Sequence, residues 1–277
     1  MLNKCPICHS IHHKKLNFGG YKYQEKFYDL VKCSKCGFMF LNPKPNQNLL
    51  KKLYNDSNYF TGDYSGGERI NYKDSFNHNK KRYQEIINRI KKYKKNGTLL
   101  EIGCAGGHFL KLAKDFGYKV KGLEISEIMA EFARKKIDLD VIAGTIDNIK
   151  LPSQNYDVIY LGNVLEHIYD LDFFLKEIFR ILKPSGLLYI DVPSAYNYNL
   201  LGIITYPLVM FKCFFKNISP FSKKYFLLKQ HRKKYGNSCP YHIYEFTPKS
   251  IKSLLIKYNF LPIKIISFDG LPKKINI

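Results

Sequence analysis

Arginine is scarce in this chain. Six of its 45 basic residues are arginine and 39 are lysine, against 23 acidic residues, which leaves a formal charge of +22 over 277 residues. The guanidinium fork is the group suited to bidentate phosphate and guanine contacts, so its scarcity argues against nucleic-acid recognition in spite of the charge. Three readings of the charge stand: a solvated lysine surface, an anionic substrate or membrane surface, and nucleic acid. No charged segment followed by a short apolar one opens the sequence, so export by a signal peptide is not expected and a cytoplasmic location is. The most apolar run, Leu200–Phe215, is broken by Pro207 and Lys212 and is too short for a confident membrane span. The G-x-G-x-x-G spacing of a dinucleotide site is missing as well.

What is present centres on Leu99-Leu100-Glu101-Ile102-Gly103-Cys104-Ala105-Gly106-Gly107-His108-Phe109-Leu110. An apolar strand runs into a glycine-rich turn and a helix follows at once. A second strand, Val120–Leu123, ends on Glu124, 23 residues after Glu101. Such a βαβ unit suits a nucleoside: small residues let the backbone approach, the helix N-terminus offers free N–H groups, and the acid can accept both ribose hydroxyls. A third short strand is expected to close at Ala143–Asp147, and further strands are expected at Tyr156–Leu161 and Leu187–Val192. Helices are expected at Ser75–Tyr93 and Leu171–Leu182, the latter broken by Lys183-Pro184-Ser185-Gly186.

Two C-x-x-C pairs, Cys5/Cys8 and Cys33/Cys36, stand 24 residues apart near the N-terminus. In a chain without an export signal they argue for metal over disulfides, and four thiolates complete a closed tetrahedral site of the kind that holds structural zinc. His9, His12 and His13 are spare donors; unpaired reduced thiols are the alternative. Strands are expected at Phe27–Lys32 and Phe38–Leu41.

The ordered set E-x-G-x-A-G-G, Tyr156-Asp157-Val158-Ile159, Val164-Leu165-Glu166-His167 and Leu182-Lys183-Pro184-Ser185-Gly186 resembles the class I S-adenosylmethionine-dependent methyltransferases. Ala105 stands where that family usually has its middle glycine. The resemblance covers roughly residues 83–193 and recurs at 246–260. It implies an α/β fold: a seven-stranded, mostly parallel Rossmann-like sheet with helices on both faces, preceded by the zinc ribbon. It also implies that Glu101, Gly103, Cys104, Ala105, Gly107, Glu124, Ile125, Thr145, Ile146 and Asn163 surround S-adenosyl-L-methionine. The ribbon resembles the segment carried by many methyltransferases of sugars and other small acceptors.

The organisation expected is therefore a ribbon at 1–45, a linker and lid segment at 46–75 with Tyr59 and Phe60 as lid candidates, and a methyltransferase domain at 76–277 with an insertion at 194–242. A sixth strand is expected at Phe260–Phe268, and a seventh, if present, at Lys274–Ile277. The insertion, apolar then basic over 198–234, reads either as a lid over the acceptor or as a peripheral membrane contact.

A hydroxyl acceptor needs a base. His242, before a helix expected at Pro248–Tyr258 with Thr247 as its cap, is one candidate; Glu166 and His167, after the fourth strand, are the others, each with a structural role as the alternative. The acceptor expected is a small molecule, a nucleotide-linked sugar or surface-glycan precursor. An RNA methyltransferase using ribbon and lysines is a rival, opposed by the lack of an N/D-P-P-Y signature; a non-catalytic cofactor-binding scaffold is another.

Overall fold

The computed structural model describes residues 4–17, 19–54, 76–194, 235–236 and 242–266. Its strands are β1 His13–Lys15, β2 Gly20–Tyr23, β3 Lys26–Cys33, β4 Met39–Asn42, β5 Gly97–Ile102, β6 Tyr118–Glu124, β7 Val141–Ala143, β8 Tyr156–Gly162, β9 Leu182–Asp191, β10 Tyr235–Gly236 and β11 Tyr244–Glu245. Its helices are α1 Gln47–Tyr54, α2 Phe76–Lys91, α3 His108–Asp115, α4 Glu127–Ile137, α5 Leu171–Ile181 and α6 Pro248–Lys257, with a 3₁₀ turn at Leu165–His167. The lid candidates Tyr59 and Phe60, the segment 198–234 and the seventh strand lie outside the described residues.

The chain divides into two compact units, one of Met1–Pro45 with Pro193–Ile277, the other of Asn46–Val192. In the first unit the last part of the chain lies with the ribbon. Strand β11 pairs antiparallel with β4, Tyr244 facing Phe40 and Glu245 facing Met39. The ribbon and the segment after 242 thus share one sheet, in the order β10-β2-β3-β4-β11 with β1 also on β3. Its hairpin closes at Gln24 and Glu25, whose φ values of 46° and 58° are those of a two-residue turn matching the strand twist.

The second unit holds a five-stranded sheet, β7-β6-β5-β8-β9, with every pairing parallel. Strand order runs outward one way from β5 and then returns to β8 on its other side. Right-handed crossovers therefore put α3 and α4 on one face and α5 on the other. Leu99, Val158, Tyr160 and Val141 on the sheet meet Phe109, Leu110, Ala130 and Ala133 of α3 and α4 in one core. Ile86, Ile87 and Ile90 of α2 are wholly buried in it, the i, i+1, i+4 stripe read from the sequence. Asp170 caps α5, accepting from the N–H groups of Asp172 and Phe173 at 3.1 Å each.

Two expectations are corrected here. The sixth strand expected at Phe260–Phe268 does not form over its described part, so the described residues hold five parallel strands. Phe260–Ile266 is irregular, Leu261 and Ile263 stand 85% and 56% exposed, and Pro262 supplies no N–H for a ladder. The helix does end before Lys183–Gly186, at Ile181, but the strand expected from Leu187 begins already at Leu182: Tyr156 faces Leu182 and Val158 faces Leu187, so the extra residues bulge, with Ser185 at φ 59°. Among the described residues no helix is long and apolar enough to cross a membrane.

Candidate functional site

In open parallel sheets ligands bind beyond the carboxyl ends of the strands, where the strand order reverses. Here that point lies between β5 and β8, and both strands leave it through unusual backbone. Gly103 (φ 72°), Ala105 (φ 44°) and Gly107 (φ 79°) all follow β5, and Asn163 (φ 54°) follows β8. A side chain on Gly103 would meet Val164 Cγ2 at 2.6 Å and one on Gly107 would meet Leu139 Cδ1 at 2.5 Å. Size as well as conformation thus demands glycine at both. Ala105 takes up the same left-handed region in spite of its Cβ, so the middle of the turn is held in a conformation that favours glycine.

Glu124, at the tip of β6, ties the turn down. One carboxylate oxygen accepts the Ala105 N–H at 2.7 Å and the other accepts the Ser126 N–H at 2.9 Å. Burial raises its pKa, opposed by these backbone donors and that of Ile125. Each oxygen keeps a lone pair, so the group can still receive two hydroxyls.

Glu101 is the more telling acid. It is 6% exposed, its Oε2 has no hydrogen-bond partner among the described residues, and burial followed by the charge of Glu124 holds its pKa well above the carboxylate range. A buried acceptor left open in a native fold calls for an explanation. A cationic ligand group is one that the chemistry of this pair of acids fits.

The other residues named from the sequence are distributed as follows. The Cys104 side chain is in the core and close enough to β6 that a Cβ on Gly122 would meet its Sγ at 2.7 Å, so only its backbone can face a ligand. His108 is buried and stacks on Phe132, centroids 6.5 Å apart. Ile125 is half-buried and Ile146 buried. Thr145 donates its N–H to Asn148 Oδ1 at 2.7 Å, which closes the turn after β7. Asn163 is exposed, and its N–H donates to the Asp191 carbonyl at 2.8 Å.

Glu166 is buried, with its Oε1 3.7 Å from His167 Nε2. In the other unit, His242 Nδ1 lies 3.8 Å from Glu245 Oε1. Thr247 caps α6 in a reciprocal box with Ser250. The sequence reading missed Asp191, which ends β9 and pairs with Arg82 of α2 at 2.6 Å. An acid closing an apolar strand, as Glu124 also does, was the available signal.

The ribbon brings its four cysteines together. Cys5 Sγ is 3.5 Å from Cys36 Sγ, Cys8 Sγ is 3.5 Å from Cys33 Sγ, and all four sulfurs lie within 4.8 Å of one another. A zinc ion with bonds of about 2.3 Å requires sulfur separations of about 3.8 Å, so the donor set fits a tetrahedral thiolate site and no disulfide. Burial pushes the Cys5 thiol up, and Cys36 up to about 11. Cys33 is drawn down to about 7, since N–H groups of Cys36 and Lys35 and neighbouring sulfurs outweigh its burial. The turns that aim the sulfurs are built in the backbone, with the Gly37 N–H (φ 76°) on the Cys33 carbonyl and the Cys33 N–H on the Phe38 carbonyl.

A family model described as a methyltransferase domain matches residues 76–265. A ubiquinone biosynthesis O-methyltransferase from Pelagibacter ubique is 33% identical over 101 residues, 35% of this chain and 42% of the relative. A malonyl-[acyl-carrier protein] O-methyltransferase from Yersinia pestis is 28% identical over 106 residues, 38% of this chain and 40% of the relative. The chain thus spans less than half the length of these curated relatives. A solved SAM-dependent methyltransferase from Archaeoglobus fulgidus is similar at 22% identity and a TM-score of 0.47, covering 68% of this chain and 71% of that one.

Proposed function

Because the chain belongs to the methyltransferase-domain family matched over residues 76–265, we propose that it transfers a methyl group from S-adenosylmethionine to an oxygen of a small acceptor. The observation that carries this reading is the pair of buried acids at the switch point. Glu124 would hold the ribose hydroxyls, and Glu101, with its open Oε2, would face the cationic methionine end. Gly103 and Gly107 let the backbone close on the nucleoside, and α3 presents its N-terminus there. When bound, the cofactor supplies an electrophilic methyl on its sulfonium sulfur.

The chain's own residues must then hold the acceptor in line and take its proton. His242 is the base we favour: its Nδ1 lies 3.8 Å from Glu245 Oε1, a carboxylate placed to favour the protonated ring. His167 with Glu166 is the other candidate. Oxygen as the acceptor atom is supported by the O-methyltransferases among the relatives. The finer choice, the hydroxyl of a nucleotide-linked sugar or surface-glycan precursor, rests on the ribbon's resemblance to those of sugar-modifying enzymes. The four cysteines would hold one structural zinc; such a closed site has no open position for chemistry.

The experiment is mass spectrometry of small molecules retained through purification, followed by calorimetry with S-adenosylhomocysteine and labelled methyl transfer to small-molecule and RNA fractions. Bound cofactor and label in the small-molecule fraction are expected, with RNA binding weak and lost with salt. Rapid labelling of RNA would replace the acceptor assignment, and no affinity for S-adenosylhomocysteine would remove the cofactor.

A further inference from the structure

The ribbon does not end where its cysteines end. Its sheet is completed by β11, a strand from more than two hundred residues later, and three separate contacts fasten that strand and α6 to the knuckles. Across the pairing of β4 with β11, the Leu41 N–H also reaches the Ile243 carbonyl at 2.9 Å. Phe38, two residues after Cys36 and wholly buried, stacks on Tyr244 (5.7 Å between centroids) and meets Phe246 (5.5 Å). At the far end of α6, Lys257 Nζ donates to the Pro6 carbonyl at 3.2 Å and lies 3.2 Å from His9 Nε2, between and beside the first pair of cysteines.

The backbone that holds Phe38 is itself the second knuckle, through the Cys33 N–H on the Phe38 carbonyl. A short two-residue strand cannot hold a position by its own ladder bonds. It depends on a partner already ordered, and in this small sheet the order comes from the knuckles. We infer that the four-cysteine centre is the positioning element for the His242 segment: metal on Cys5, Cys8, Cys33 and Cys36 orders β4 and Phe38, and these dock β11 and α6 so that His242 is held in place. The ribbon is then part of the acceptor-side machinery in this chain, with Phe38 and Lys257 as positioning residues.

This rests on zinc occupying the cysteines and on His242 acting at the acceptor, and the test separates the three ideas. Hydrogen exchange read by mass spectrometry is compared for the full chain as purified, after chelation and after zinc is restored. Deuterium uptake is expected to rise reversibly over 26–42 and, to a similar degree, over 242–257, while 97–124 keeps its protection and S-adenosylhomocysteine its affinity within about twofold.

Phe38→Ala, with the cysteines intact, is expected to raise uptake over 242–257 at full zinc content. Phe38→Leu should restore most of the protection, because it refills the site. If chelation opens 26–42 but leaves 242–257 protected, or if Phe38→Ala leaves that segment at its original uptake, the coupling is wrong. A purified chain with no zinc would instead overturn the metal assignment. Zinc-dependent exchange at 242–257 together with full turnover in His242→Ala would overturn only the role given to that histidine.

Discussion

Replacing Glu124 with glutamine tests the cofactor site with almost no change of shape. The carboxylate uses one lone pair per oxygen on the N–H groups of Ala105 and Ser126, at 2.7 and 2.9 Å. The remaining pair on each is free for a ribose hydroxyl. A glutamine has one oxygen, and its NH₂ must point at one of two backbone donors, so one buried N–H loses its acceptor and one hydroxyl loses a charged partner. A hydrogen bond to a charged group contributes about 1.5–3 kcal/mol, so affinity for S-adenosylhomocysteine should fall by about 2–3 kcal/mol, roughly 30- to 150-fold.

The orphaned N–H should cost about 1–3 kcal/mol of stability, visible in thermal unfolding. Calorimetry with S-adenosylhomocysteine and its 2′-deoxy analogue separates the two effects, because the deoxy ligand has already lost part of the contact and should lose less again in the variant. Wild-type affinity in a folded Glu124→Gln protein would falsify ribose recognition at this residue. Equal losses for both ligands would show a disturbed loop in its place.

Glu101→Gln should act in opposite directions on stability and binding. The pKa of Glu101 is raised in the folded state, first by burial, so the stability it contributes is complete below the ordinary carboxyl pKa and lost as pH rises through the folded one. The variant should therefore melt higher at pH 7 and near wild type at pH 4, by about 1–3 kcal/mol at neutrality. It should also bind S-adenosylhomocysteine more weakly while keeping its affinity for 5′-methylthioadenosine, which lacks the amino-acid end; a lower melting temperature at pH 7 would contradict this.

Asp157 is the reverse case. Outweighing its partial burial, Lys183 at 2.8 Å and the Thr98 N–H hold its pKa at about 2 against an ordinary 3.8. Its contribution should be full above pH 3.8 and vanish as pH falls toward 2, and an acid titration of Asp157→Asn should lack that step. His242→Ala should lower kcat by about two to four orders of magnitude with S-adenosylhomocysteine affinity intact. Survival of turnover there, with collapse in His167→Ala or Glu166→Gln, would move the base to the other unit.

The features legible from residue order were local and periodic. The apolar strands of the parallel sheet, the isoleucine stripe of α2, the Thr247 cap of α6 and the glycine turn followed from side-chain spacing and from backbone angles that few residues adopt, and all are found at those positions. Spacing within each C-x-x-C pair likewise set two thiolates toward one point.

Tertiary structure alone decided the rest, because it depends on which distant segments meet. Nothing in Tyr244-Glu245 says that its partner is Met39-Phe40 and not a strand of the parallel sheet; two residues carry too little pattern to choose an edge. Phe260–Ile266 has the composition of a strand but found no cover for Leu261 and Ile263. Glu101 and Glu124 were both legible as acids at strand ends. That one would be satisfied by the turn and the other left open appeared only when β5 and β6 were laid side by side, because hydrogen-bond satisfaction is a property of the whole neighbourhood and not of the residue.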